Sequence, residues 1–88
     1  MKLENKNNYK LNLLIKKMKV VVKTRFSAAK QYIEKMGGNR YLIYLPFEED
    51  EEAEEMLKAV LSKYMGTPVG RIEGFGKDMN NDWVFEVR

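Results

Sequence analysis

An acidic run is the densest group of chemically active side chains in this sequence. Residues 48–55 contain seven carboxylates in eight positions. Converging carboxylates bind hard cations, and a carboxylate such as Asp50 can act as an acid or a base in catalysis. The run lacks the Asp/Asn spacing and the glycine of a calcium-binding loop. We therefore interpret it as the solvated entrance of a helix, with contact to a basic protein as the alternative, and we predict no metal and no cofactor.

Basic residues form the second candidate site. The first 40 residues hold 11 Lys and Arg against two acids, a net charge of +9, whereas the remainder holds five against 11, a net charge of −6. Lysine and arginine neutralise phosphates without exact spacing, and an exposed ring such as Tyr32 or Phe26 can stack on an unpaired base. The predicted nucleic-acid or partner-binding residues are Lys19, Lys23, Arg25, Lys30 and Arg40. There are two alternatives. The basic half could pair with the acidic helix, within one molecule or between two, or its charges could serve solubility alone.

Histidine and cysteine are both absent from the chain. Their absence excludes histidine-based triads, cysteine nucleophiles and the usual zinc sites, so we predict that the protein is not an enzyme. Gly70, Gly74 and Gly76 precede a predicted hairpin rather than a helix, and therefore indicate turns and a bulge rather than a dinucleotide-binding loop. The aromatic RNP motif and the KH glycine loop are missing as well, so no base-specific recognition is indicated.

Length and hydropathy predict one small domain. We expect residues 18–88 to form it and residues 1–17 to be a basic N-terminal extension, whose apolar spacing fits a strand and a helix alike. No apolar run approaches the roughly 20 residues needed to cross a bilayer. A soluble cytoplasmic protein without a membrane partner is expected, and no homo-oligomer is indicated.

Alternation of apolar and polar residues predicts four strands. The first is β-branched and should be central in the sheet. The last two should form a hairpin around a turn-rich loop, with Trp83, Phe85 and Val87 on the buried face. The predicted strands cover residues 20–24, 40–45, 69–75 and 83–87.

Two segments have helical spacing. In residues 50–65, apolar side chains recur at i, i+3, i+4, i+7 and i+8, with acids in the first turns and lysines later. The residues that should face the sheet include Leu57, Val60 and Leu61. Residues 27–36 also have apolar side chains at helical spacing, over a shorter length. Ser27 can cap the start of a helix there, and the Gly-Gly pair that follows can end it. We expect a short helix there.

A set of matching positions extends from Val20 to Val87. The matching residues are Ala29, Lys30, Ile33, Gly38, Asp50, Ala53, Gly66, Thr67, Pro68 and Gly76. In their order and spacing the chain resembles the YggU-like family of small α/β proteins. The resemblance implies a ββαββ core whose first two strands pair antiparallel. It implies no activity, because the family's own biochemical role is not established.

The sequence departs from the family at its polar signature. Gly-Lys-Ala-Asn at the family's helix entrance is replaced here by residues 51–54, Glu-Glu-Ala-Glu. The Arg and Lys of the family's last loop fall on Asn80 and Asp82. The resemblance also implies loop and extended chain where periodicity predicts a helix at residues 27–36. It therefore supports the scaffold and not a conserved polar site.

We accordingly predict an α+β protein with two layers, a small mixed sheet and one long helix packed on one face. The core order is ββαββ, or βαβαββ if residues 27–36 are helical. The predicted function is a non-enzymatic binding module whose basic face binds nucleic acid weakly and without sequence preference, or binds an acidic protein surface. The alternative is an enzyme, or a degenerate one, with a site near Asp50. A cleft joining Asp50, Gly76 and Lys30 would favour that alternative.

Overall fold

A mixed five-stranded sheet forms the centre of the protein, and an α-helix packs on one of its faces. The computed structural model describes residues 17–88. Its elements are β1 (Met18–Arg25), β2 (Tyr32–Gly37), β3 (Arg40–Tyr44), α1 (Ala53–Met65), a 3-10 turn (Val69–Arg71), β4 (Ile72–Lys77) and β5 (Trp83–Val87). The strand order is β2-β3-β1-β5-β4. The predicted α+β class, with two layers, is confirmed.

Strand β1 lies in the middle of the sheet, as its β-branched residues predict. It pairs with β3 on one side and with β5 on the other. Val20 and Val22 are fully buried under the helix layer. A short run of β-branched residues favours a central position because it packs well against neighbours on both sides.

The helix predicted for residues 27–36 is wrong, because this segment contains β2. Ile33 of β2 pairs with Ile43 of β3 in an antiparallel hairpin. Gly37 and Gly38, which were expected to end a helix, have φ of 128° and 55° and turn the chain into β3. Positive φ at a glycine suits a helix end and a hairpin equally, so the local signal was ambiguous. Pairing with β3 decided between the two.

The additional strand also changes the direction of pairing. The first two predicted strands correspond to β1 and β3, and these pair parallel, with Val22 beside Tyr41 and Thr24 beside Ile43. The antiparallel pairing expected for them is therefore wrong. The chain reverses once before β2 and once after it, so β3 regains the direction of β1. The core order is βββαββ rather than ββαββ or βαβαββ.

Helix α1 and the C-terminal hairpin form as predicted, although α1 begins at Ala53 rather than at residue 50, and residues 69–71, predicted as strand, form a 3-10 turn before β4. Leu57 and Leu61 are fully buried, and Val60 packs against the same core from the helix margin. Strands β4 and β5 pair antiparallel. Phe85 is fully buried on the helix side of the sheet, opposite Val20 in the neighbouring strand. The hydrophobic core therefore lies between α1 and one face of the sheet.

The predicted extension falls almost entirely outside the described residues. The described chain begins at Lys17, and β1 begins at Met18, where the domain was expected to start. The strand-or-helix question for the preceding segment concerns residues outside this range. Within residues 17–88, no helix is long and apolar enough to span a bilayer.

Candidate nucleic-acid interface

The sheet has one face that α1 does not cover, and we call it the open face. Successive residues of a strand point to opposite faces. Val20 and Val22 therefore face the helix, whereas Val21 between them and the exposed Lys19 and Lys23 on either side lie on the other face. Strand pairing extends this face across the sheet. The open face comprises Lys19, Val21, Lys23, Arg25, Tyr32, Glu34, Arg40, Leu42, Tyr44, Glu73, Val84 and Glu86.

Four of the five predicted site residues share the open face. Lys19, Lys23 and Arg25 occupy alternate positions of β1, and Arg40 lies beside Val21 of that strand at the start of β3. All four are exposed. The fifth, Lys30, lies in the loop between β1 and β2 and borders a groove formed with tyrosines of the open face. The fold thus brings together basic residues that are spread over 22 positions of sequence.

Asp82 partly neutralises this basic group, which the sequence did not predict. Its Oδ1 lies 3.5 Å from Lys23 Nζ, and its Oδ2 lies 3.9 Å from Arg40 Nη2. The Asp82 side chain is 5% exposed, whereas those of Lys23 and Arg40 are 58% and 62% exposed. Long ion pairs with well-solvated partners contribute little to stability. The two cations therefore stay accessible to an external anion.

The loop between β4 and β5 holds Asp82 in place. Asp78 Oδ1 accepts hydrogen bonds from the backbone N–H groups of Asn80 and Asp82, at 2.9 and 3.0 Å. The N–H of Asp78 donates to the carbonyl of Asp82 at 2.8 Å. An aspartate that bonds its own downstream backbone stabilises a tight turn. No local signal in the sequence links this turn to Lys23, because the contact depends on β5 pairing with β1.

Two tyrosines add an aromatic surface at one end of the basic group. Tyr32 and Tyr44 pair across β2 and β3, with ring centroids 5.9 Å apart and planes inclined by 52°. Tyr32 is 54% exposed. Phe26, the other aromatic residue considered from the sequence, packs partly against the hydrophobic core instead. The contact between Tyr44 and Tyr32 depends on β2, a strand that the sequence patterns did not predict.

The charge of the open face changes from one side of the sheet to the other. Residues 17–88 carry 12 basic and 12 acidic side chains, so the described domain has no net charge. On the β4 and β5 side, Glu86 pairs with Lys17 at 3.8 Å and Glu73 pairs with Arg88 at 3.7 Å. An anion is therefore attracted to the β1 and β3 side by local segregation of charge rather than by the charge of the whole domain.

The acidic helix entrance makes structural contacts. Asp50 Oδ1 accepts a hydrogen bond from the N–H of Glu52 at 2.9 Å. Glu54 Oε2 accepts one from the N–H of Gly76 at 2.7 Å, and Lys77 pairs with Glu49. The Glu54 and Glu49 contacts attach the start of α1 to strand β4. Within residues 17–88, no three acidic side chains are arranged to hold a metal ion.

The helix entrance and the basic residues lie on different sides of the sheet. Lys30 borders the groove beside Tyr32 and Tyr44, whereas Gly76 contacts α1 through Glu54. Asp50, Gly76 and Lys30 therefore do not line one cleft. Among the ion pairs within the described part of the chain, none joins the open face to residues 48–55. The basic residues of the open face can bind an extended anion.

Comparisons of the chain with protein-family models, with curated proteins and with solved structures found no match. The resemblance to the YggU-like family therefore stays a prediction. The interpretation of the site depends on its own geometry.

Proposed function

We propose that this protein is a non-enzymatic binding module that binds nucleic acid weakly and without sequence preference through its open face. One observation carries the proposal: Lys19, Lys23, Arg25 and Arg40 project from two adjacent parallel strands on the face that α1 leaves uncovered. Cations repeated along one exposed face match the repeated phosphates of a nucleic-acid backbone.

Release of condensed counterions supplies the binding free energy in such an interface. Phosphate contacts carry no sequence information, and the open face has no base-reading motif. We expect a Kd of roughly 10⁻⁴ to 10⁻⁶ M at physiological salt. If about four phosphates are neutralised, log K for a single strand should fall with log salt with a slope of about −3.

An acidic protein surface is the competing partner for the same residues. It would use the same cations, so salt dependence alone does not separate the two ligands. An enzyme with a site near Asp50 has less support, since Asp50 bonds the helix entrance and Glu54 bonds the N–H of Gly76. Asp50 thus stabilises the turn before α1, and Glu54 holds α1 against β4.

The test is fluorescence anisotropy with labelled single-stranded RNA and duplex DNA, titrated from low to moderate salt. A variant with Lys23→Glu, Arg25→Glu and Lys30→Glu should bind at least about tenfold more weakly at low salt, because three phosphate-neutralising groups become repulsive. The matched control reverses three exposed cations outside the open face. Its changes are Lys35→Glu, Lys63→Glu and Arg71→Glu.

The control has the same net charge as the test variant, so it separates local from overall electrostatics. It should lose much less affinity than the variant in which Lys23, Arg25 and Lys30 are reversed. Equal losses would show that binding follows net charge and has no defined surface. Undetectable binding of the unmodified protein at low salt would refute the proposal. An acidic protein would then be the favoured partner of the basic residues.

A further inference from the structure

We infer that the ligand of the open face is single-stranded, and that one of its unpaired bases stacks on the Tyr32 and Tyr44 pair. This inference depends on the proposed function and specifies its substrate class. It is carried by the position of the two tyrosines relative to the basic residues and by the groove next to them.

The tyrosines and a cation form one row across three strands. Tyr32 of β2 pairs with Tyr44 of β3, and Tyr44 pairs with Arg25 of β1. Neighbouring strands are about 4.8 Å apart, so the row places a guanidinium beside an aromatic surface. A nucleotide needs both groups: a ring for the base and a cation for its phosphate. Lys23 and Lys19 continue the basic line away from the row along β1.

A shallow groove of about 610 Å³ adjoins the two rings. It is bordered by Ala28, Ala29, Lys30, Tyr32 and Tyr44. The side chains of the two alanines are small, so the exposed ring of Tyr32 is accessible from the loop side of the groove. Lys30 places a further cation at the rim. The groove is mostly apolar, which suits the face of a base better than it suits a carboxylate.

The loop that borders the groove is held in a defined position. The N–H of Ala28 donates to the carbonyl of Leu45 at 2.9 Å, and the N–H of Ser27 donates to the carbonyl of Phe47 at 2.8 Å. Ser27 has a φ of 57°, a conformation that is uncommon for non-glycine residues. The loop is thus attached to the end of β3, and little ordering is needed when a ligand binds.

Stacking distinguishes a single strand from a duplex. In a duplex each base is already stacked between its neighbours and hydrogen-bonded to its partner, so its face is not available to a protein ring. Stacking of an unpaired base on an aromatic side chain is tolerant of sequence because every base has a π face. A single-stranded ligand therefore agrees with the absence of base-reading groups on the open face.

Anisotropy with three labelled oligonucleotides of equal length tests the inference. They are a single strand, its duplex, and a single strand in which every base is replaced by an abasic site. The abasic strand keeps the phosphates and removes stacking. At low salt the unmodified protein should bind the base-containing strand at least about fivefold more tightly than the abasic strand. Tyr32→Ala should remove that preference, and Tyr32→Phe should retain it.

Phe75 provides a matched control for the loss of an exposed ring. It lies on β4 at the opposite edge of the sheet and is 54% exposed, the same fraction as Tyr32. Phe75→Ala should leave the preference for the base-containing strand unchanged. Equal effects of Phe75→Ala and Tyr32→Ala would overturn the inference, because they would show no special role for the groove.

The outcomes separate this inference from the proposed function. If the unmodified protein binds the base-containing and abasic strands equally at low salt, stacking is refuted while phosphate binding stands. If it binds the duplex more tightly than the single strand, the single-strand assignment is refuted. If it binds none of the three oligonucleotides at low salt, the proposed function and this inference are both refuted.

Discussion

The two faces of the sheet use the same strands for different purposes. On β1, Val20 and Val22 are fully buried against α1, while Lys19, Lys23 and Arg25 are exposed on the open face. The covered face supplies the free energy of folding through apolar burial, and the open face presents charge to the solvent. Stability and the proposed binding thus depend on alternate residues of one strand. Substitutions on the two faces should therefore have separable effects.

The largest expected effect is the loss of a core side chain under the helix. Leu57→Ala should reduce the free energy of unfolding by about 2 to 5 kcal/mol, because Leu57 is fully buried and a cavity would remain. Glu51→Ala, at the exposed helix entrance, should cost less than about 1 kcal/mol. Urea denaturation followed by circular dichroism measures both. Equal losses would contradict the assignment of the helix face.

A smaller effect is expected where α1 crosses β4. A Cβ on Gly74 would lie 2.5 Å from Cδ of Glu54, so Gly74→Ala must displace that side chain and its bond to the N–H of Gly76. We expect a loss of about 1 to 3 kcal/mol. In a Glu54→Ala background the same change should cost much less. A double-mutant cycle measures this coupling, and additivity would show that the close approach is unimportant.

Removal of an unsatisfied hydroxyl should have a favourable effect. Thr24 Oγ1 is buried and has no hydrogen-bond partner in the described part of the chain. Valine has nearly the same shape and suits a strand. Thr24→Val should therefore raise the free energy of unfolding by about 0.5 to 1 kcal/mol. A clear loss of stability in the same denaturation assay would show that the hydroxyl is satisfied in solution.

The smallest effect concerns binding alone. Asp82→Asn removes the carboxylate that faces Lys23 and Arg40, and should strengthen nucleic-acid binding about threefold at low salt by freeing both cations. Glu48→Gln serves as the control, since Glu48 is exposed in the acidic run outside the open face and its change removes an equal charge without contacting those cations. An equal gain in both variants would show that only net charge matters.

Much of the fold follows from local patterns. The β-branched run of β1, the apolar stripe of α1 and the alternation in β5 each depend on residues close in sequence, so their types and buried faces were predictable. The basic residues of the candidate site were identified in the same way. Strand alternation alone places Lys23 and Arg25 on one face, once β1 is known to be a strand.

The sequence by itself thus determined the α+β class, the helix, the central strand and the basic composition of the site. Tertiary structure decided that residues 32–37 form a strand, that β1 and β3 run parallel, that Asp82 contacts Lys23, and that Tyr44 contacts Tyr32. The physical reason is the range of the interactions. Helical spacing and side alternation are set by near neighbours, whereas each of these later features exists only when strands distant in sequence exchange hydrogen bonds.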